Sequence, residues 1–169
     1  MIHEIPYGRW LDEIHVGDVY LHGSGRTLVD WDNVWSSLTA LENDPLYIDV
    51  EYAKALGHPR CPVNPMLVFS ICIGLSVADV SGRGIGNLGY DSLVQHKHVY
   101  PGDTIYSRST VLEVRKSESK PDRGPVYVRS EALDQNGELV LSVNRRTMVR
   151  TRPAGEVGSF FLPDSKAQA

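Results

Sequence analysis

"NPMLVFSICIGLSVAD", residues 64–79, is the stretch that decides the fold. Asn64 is a favourable helix cap, and Pro65 suits the first helical position, where a missing N–H costs nothing. The next two turns are apolar nearly all round, so the helix must be surrounded by other structure. Ser70 and Gly74, one turn apart, make one side thin and predict close approach to a sheet. Those two residues, with Ser76 and Asp79, leave the run too short and too polar to cross a bilayer.

Reading outward from this helix, the N-terminal side begins with an irregular lead-in over residues 1–15, then a Gly-Asp turn and a first strand within "VGDVYLHGSGRTL" (16–28). Asp30 is expected to cap a helix whose apolar side is Trp31, Val34, Trp35, Leu38 and Leu41, at helical spacing. That helix should stop near Asn43, because the residue before Pro45 is pushed out of helical geometry. "DVEYAKALG" (49–57) reads as a short helix capped by Asp49 and ended by Gly57. On the C-terminal side, the run "SGRGIGNLG" (81–89) reads as a loop; it is no dinucleotide fingerprint, since no strand precedes it and no helix follows. Strand patterns then continue through residue 150, turning at Pro101-Gly102-Asp103 and at Asn136-Gly137, a strong hairpin signal. Residues 151–169 lose periodicity and read as a tail. One apolar helix beside one long antiparallel sheet predicts an α+β hotdog fold, the sheet wrapped around the helix, over residues 16–150. An exposed sheet face predicts a homodimer or a higher oligomer.

The bulk properties exclude several classes. The chain has 169 residues, 41% of them apolar and 22% charged, with net charge −4, which is ordinary for one soluble globular domain. No basic stripe recommends a nucleic-acid partner. The N-terminus has no basic stretch leading into an apolar run, so no secretory leader or membrane attachment is expected. Cys61 and Cys72 fit neither a disulfide framework nor a zinc pattern, which points to free thiols in the cytoplasm and to no metal.

Several stretches in the same order resemble the MaoC-like hydratase/dehydratase family of hotdog proteins: "GRTLVDWDNVWSSLTALENDPLYID", "RCPVNPMLVFSICIGLSVADVS", "NLGYDSLV", "VYPGDTIYSRSTVLEVRKSESKP" and "DQNGELVL". They look most like the branch linked to mesaconyl-CoA and methylmalyl-CoA hydration, and they cover residues 16–150. The resemblance implies water addition to, or removal from, an enoyl or hydroxyacyl thioester of coenzyme A or acyl carrier protein, with no cofactor. The family site reads Asp-x-Asn-Pro-x-His-x-Asp, followed by His-Gly-Met-Leu at the start of the central helix. Histidine suits proton transfer near neutral pH, and helix-start amides suit charge growing on the thioester oxygen. In this chain the motif falls on Glu42 to Asp49, and its histidine becomes Tyr47. The asparagine becomes Asp44, and His-Gly becomes Asn64-Pro65, with no N–H on the proline.

Glu42 is therefore expected as general base, and Tyr47 as neutral acid or oxyanion donor. Asp44 and Asn64 are expected to hold water or the polar end of the substrate, although each also suits a cap or turn. Met66, Phe69 and Ser70 would line the acyl path, and His58 would stand near its entrance. His96 and His98, alternate residues of a strand, read as surface groups, and Asp49 as a structural cap. The cluster Arg115, Lys116, Lys120 and Arg123 suits either coenzyme A phosphates or a solvated hairpin end. Two other readings stand beside the hydratase. One is a non-catalytic MaoC-like binding subunit, favoured by the altered motif. The other is a hotdog thioesterase, in which Glu42 or Asp44 activates water.

Overall fold

Five strands form one antiparallel sheet. The structure, a computed structural model, describes residues 7–153. The strands are β1 (Val19–Thr27), β2 (Gly84–Gln95), β3 (Thr104–Val114), β4 (Arg123–Leu133) and β5 (Leu139–Arg150), in the order β1-β3-β4-β5-β2. On β4 every second residue is buried, Val126, Val128, Ser130 and Ala132 among them, as a sheet with one covered face requires. The β4–β5 turn depends on Gly137 at φ +79°, a value that glycine adopts without strain.

Four α-helices lie between β1 and β2: α1 (Asp30–Ala40), α2 (Pro45–Ile48), α3 (Val50–Ala55) and α4 (Pro65–Leu75). The central helix forms as its sequence predicts. Asn64 caps α4 through its side-chain oxygen, which accepts from the Met66 amide at 2.8 Å, and Pro65 takes the first position. Val68 and Cys72 are buried with Leu28, Ile105, Ala132, Val140, Leu141 and Val143 in the main core. Asp49 caps α3 by accepting from the Glu51 and Tyr52 amides. The lead-in from residue 7 is packed down: Leu11 and Ile14 join Val80, Val111, Val126, Val128 and Val149 in a second core cluster. Residues 154–169 of the expected tail lie outside the described residues.

Five local expectations are corrected. Ser70 and Gly74 do not face the sheet; both are exposed, and a Cβ on Gly74 would meet nothing within 4 Å. Residues 84–89 are strand rather than loop, because β5 lends them hydrogen-bonding partners that no local pattern reveals. His96 and His98 fall beyond the end of β2, where the chain leaves the sheet. Helix α1 starts at Asp30 with Val29 at the cap position, the Val29 amide donating to the Asp32 carboxylate at 2.9 Å. Most consequential, α1 is inverted. Its inward residues are Asn33 and Ser37, while its apolar stripe points out, with Trp35 57% and Leu41 82% exposed.

The edge strand β2 is also open to solvent over nearly its whole length. It carries Ile85, Leu88, Tyr90, Leu93 and Val94 as exposed apolar residues. Its pairing with β5 slips register three times, and Ser92 sits at φ +52° within the last slip. No helix among the described residues is long and apolar enough to cross a membrane.

Candidate active site

The inward-facing polar residues of α1 organise the site. Asn33 is buried, and it bonds in three directions. Its side-chain N–H donates to the carbonyls of Tyr47 (2.9 Å) and Pro62 (3.2 Å), and its oxygen accepts from the Asn64 amide (2.9 Å). One side chain thus ties α1, the α2 turn and the cap of α4 into a fixed frame. Sequence reading missed Asn33, whose only signal was a polar residue on the side of α1 opposite its apolar stripe.

Glu42 follows Leu41, a non-glycine residue held at φ +53°, a conformation that costs an L-residue on the order of 1 kcal/mol. The Glu42 carboxylate is held at both oxygens, accepting from the Asp44 amide (2.9 Å) and from the Asn64 side chain (3.3 Å). Asp44 caps α2, with Oδ1 accepting from the Leu46 amide at 2.9 Å. Tyr47, on α2, has no hydrogen bond to its hydroxyl among the described residues. Burial, with help from Asp44 and Glu42, pushes its phenol above the ordinary value of 10.0. It is therefore a neutral donor with its proton free.

Glu42 and Tyr47 share a cleft of about 410 Å³, walled by Asn33, Ser37 and Leu38 of α1, by Ile48 and Val50, and by Arg60 and Cys61 of the α3–α4 loop. Ser37 is 1% exposed, and its hydroxyl has no partner in the structure. At the start of α4 no amide is left over. Pro65 has none, Met66 donates to the Asn64 side chain, and Leu67 and Val68 donate to the Asn64 carbonyl. Among the donors lining the cleft, the Tyr47 phenol is one with no hydrogen bond among the described residues.

The other expected contacts lie elsewhere. Met66 is exposed, Ser70 Oγ donates to the Met66 carbonyl, and Phe69 stacks edge-on against Tyr90 at 5.2 Å. His58 bonds the Tyr100 hydroxyl at 2.9 Å and meets His98 edge-on at 5.0 Å. None of these four residues walls the cleft. Arg115 pairs with Glu113 and Arg123 with Asp122 at the β3–β4 hairpin.

A second polar cluster lies behind α4. His22 Nδ1 is 2.9 Å from Asp79, Nε2 is 2.8 Å from Ser109 Oγ, and Ser109 is 2.8 Å from Ser130. The bonding is consistent with a neutral ring that donates to Asp79 and accepts from Ser109, while Ser130 donates to Ser109. Burial, the largest influence, pushes the His22 pKa down. The order acid, imidazole, hydroxyl matches a nucleophilic triad, but Ser109 is fully buried. Beside this cluster Arg145, 1% exposed, donates to Ser76 Oγ at 2.8 Å.

A family model described as mesaconyl-CoA hydratase matches residues 4–163. The chain belongs to the mesaconyl-CoA hydratase family. It is 34% identical over 145 residues to a mesaconyl-CoA hydratase of Cereibacter sphaeroides, covering 86% of this chain and 42% of that protein. It is 34% identical over 162 residues to a β-methylmalyl-CoA dehydratase of Chloroflexus aurantiacus, covering 94% and 46%. The chain thus spans less than half the length of these curated relatives. A MaoC domain dehydratase structure from Chloroflexus aurantiacus superposes with a TM-score of 0.86 at 30% identity, covering 96% of this chain and 46% of that one. A Mycobacterium tuberculosis protein described as a double hotdog superposes with a TM-score of 0.79 at 27% identity, covering 96% and 52%. The hotdog assignment is therefore established, and so is membership of the family.

Proposed function

We propose that this chain is a hydratase/dehydratase acting on an enoyl or hydroxyacyl thioester of coenzyme A, with Glu42 as general base and Tyr47 as acid. The single observation that supports this reading is the shared cleft. A carboxylate steadied at both oxygens and a phenol with an unspent proton line the same space. In hydration, Glu42 takes a proton from water as its oxygen bonds to the β-carbon. The electron pair of the double bond moves toward the thioester oxygen, which Tyr47 holds by hydrogen bond. Tyr47 then gives its phenolic proton to the α-carbon, and the proton taken by Glu42 returns through solvent to the phenolate, which resets the site; dehydration is the reverse. Asn64 acts through Glu42, and Asp44 acts by capping the turn that presents Tyr47.

The names of the relatives support coenzyme A over acyl carrier protein as the thioester carrier. The free thiols Cys61 and Cys72 suit the cytoplasm. We further propose a homodimer. The outward tryptophans of α1, the exposed side of α4 and the edge of β2 together present apolar surface that a second hotdog unit would cover.

The test is incubation with a panel of enoyl-CoAs, mesaconyl-CoA among them, read by mass spectrometry. A gain of one water, lost in Glu42→Gln, supports the assignment. Binding without mass change supports the second reading, a non-catalytic binding subunit, which the closed amides at the start of α4 favour. Release of free coenzyme A would point to a thioesterase.

A further inference from the structure

Cys61 lines the cleft alongside Glu42, Tyr47 and Ser37, and the proton chemistry leaves its thiol unused. That thiol is free, and the residue is half-buried. Cys72, the other free thiol, is buried in the core, where its Sγ lies 3.4 Å from the Ser107 hydroxyl. The loop that carries Cys61 is fixed. The Pro62 carbonyl accepts from Asn33 at 3.2 Å, and the Val63 amide donates to the Val99 carbonyl at 2.8 Å. Pro62 also restricts Cys61, the residue before it, to extended backbone. A second observation marks the same cleft as a place for a ligand. Ser37 is 1% exposed, and its hydroxyl, in the cleft wall, has no partner. A buried polar atom in that state calls for a ligand atom or water.

An enoyl thioester is electrophilic at its β-carbon, the atom that water attacks in hydration. A sulfur nucleophile in the same cleft competes for that carbon. We propose that Cys61 is a covalent modification site that captures α,β-unsaturated thioesters by conjugate addition. The bond from Sγ to the β-carbon forms, and the carbon–carbon double bond becomes single. Its electron pair moves to the α-carbon, which takes up a proton while the thiol proton leaves to water. The product is a thioether carrying the whole acyl thioester, and no oxidant or reductant is consumed. Only proximity favours this reaction. Burial, followed by the carboxylates of Asp49 and Asp30, pushes the thiol above its ordinary value of 9.0. At neutral pH it is therefore protonated and sluggish toward a dilute electrophile, and a β-carbon held beside it is what reacts. Capture thus falls on enoyl chains that occupy the cleft without being hydrated, and it closes the site to further substrate. The inference rests on the cleft being the acyl site of the proposed hydratase.

Intact-protein mass spectrometry after incubation with crotonyl-CoA tests the site. The expected result is one adduct per chain, heavier by a whole crotonyl-CoA and located at Cys61 by peptide mapping. Its rate should level off as crotonyl-CoA rises. The second-order rate constant at low concentration should exceed that of glutathione with the same thioester by about tenfold or more. Butyryl-CoA, which is saturated and cannot react, should slow the adduct by competing for the cleft, and Cys61→Ser should abolish it. No adduct, a rate no faster than glutathione, no protection by butyryl-CoA, an adduct at Cys72, or an adduct undiminished in Cys61→Ser would each overturn the assignment. If Cys61→Ser does not fold, peptide mapping and protection in the unaltered protein decide the question. Hydration is scored separately, as one water gained by the free thioester. A Cys61 adduct without hydration of any enoyl-CoA would defeat the hydratase reading and leave the capture site standing; hydration without the adduct would do the opposite.

Discussion

Among the described residues, the Ser37 hydroxyl has no hydrogen-bond partner and the Tyr47 phenol has no acceptor for its proton. Removing the first should separate stability from binding. Ser37→Ala is expected to leave thermal stability unchanged or raise it by up to about 1 kcal/mol, since an unsatisfied buried group is removed. It should weaken thioester binding a few-fold, and thermal melts with titrations of the same variant check both. Tyr47→Phe should lower kcat by roughly a hundredfold or more while KM changes little, because a proton donor is lost but the ring remains. Since the phenol is shifted upward, the acid form persists as pH rises, and the alkaline limb of the rate profile should lie above the ordinary tyrosine value of 10.0 and vanish in Tyr47→Phe. Glu42, Tyr47 and Asn64 were legible in the sequence because they stand at fixed spacing in a known pattern. Asn33 and Ser37 were not, because they sit on the polar side of a helix whose apolar stripe captured the reading.

At the level of elements, α4 and the strands from β3 onward were readable from cap residues and alternation. The orientation of α1 was not, because an apolar stripe says only that a surface wants covering, not which chain covers it. If that stripe and β2 pack against a second copy, Leu88→Asp on the edge strand should convert the dimer to monomer, read by analytical ultracentrifugation. An unchanged mass would show that the contact lies elsewhere. The packing of α1 against the α2 turn and the start of α4 depends on Asn33, so Asn33→Ala should cost on the order of 2–4 kcal/mol in denaturant unfolding, given three hydrogen-bonding partners left unmet, two of them buried. It should also lower turnover, since Tyr47 and Asn64 lose their common anchor.

For the molecule as a whole, the buried His22 cluster ties stability to pH. The fold favours the neutral ring, with its pKa below the ordinary 6.5, so the stabilisation is complete above that value and is lost as pH falls through the folded-state pKa. The dependence should approach about 1.4 kcal/mol per pH unit for one proton. Melting temperatures between pH 8 and pH 5 should decline below pH 6.5, and His22→Gln should flatten that decline. The pattern of residues identified the fold as a hotdog but gave no sign of this cluster, because His22, Asp79 and Ser109 meet only after the chain has closed. The edge strand β2 carries a different consequence. A long, straight, apolar edge would accept almost any extended peptide and seed aggregates. With three register slips and a left-handed serine, this edge is contoured like the wards of a lock. Stray strands find few continuous hydrogen bonds along it, and a chain bent at matching intervals finds many.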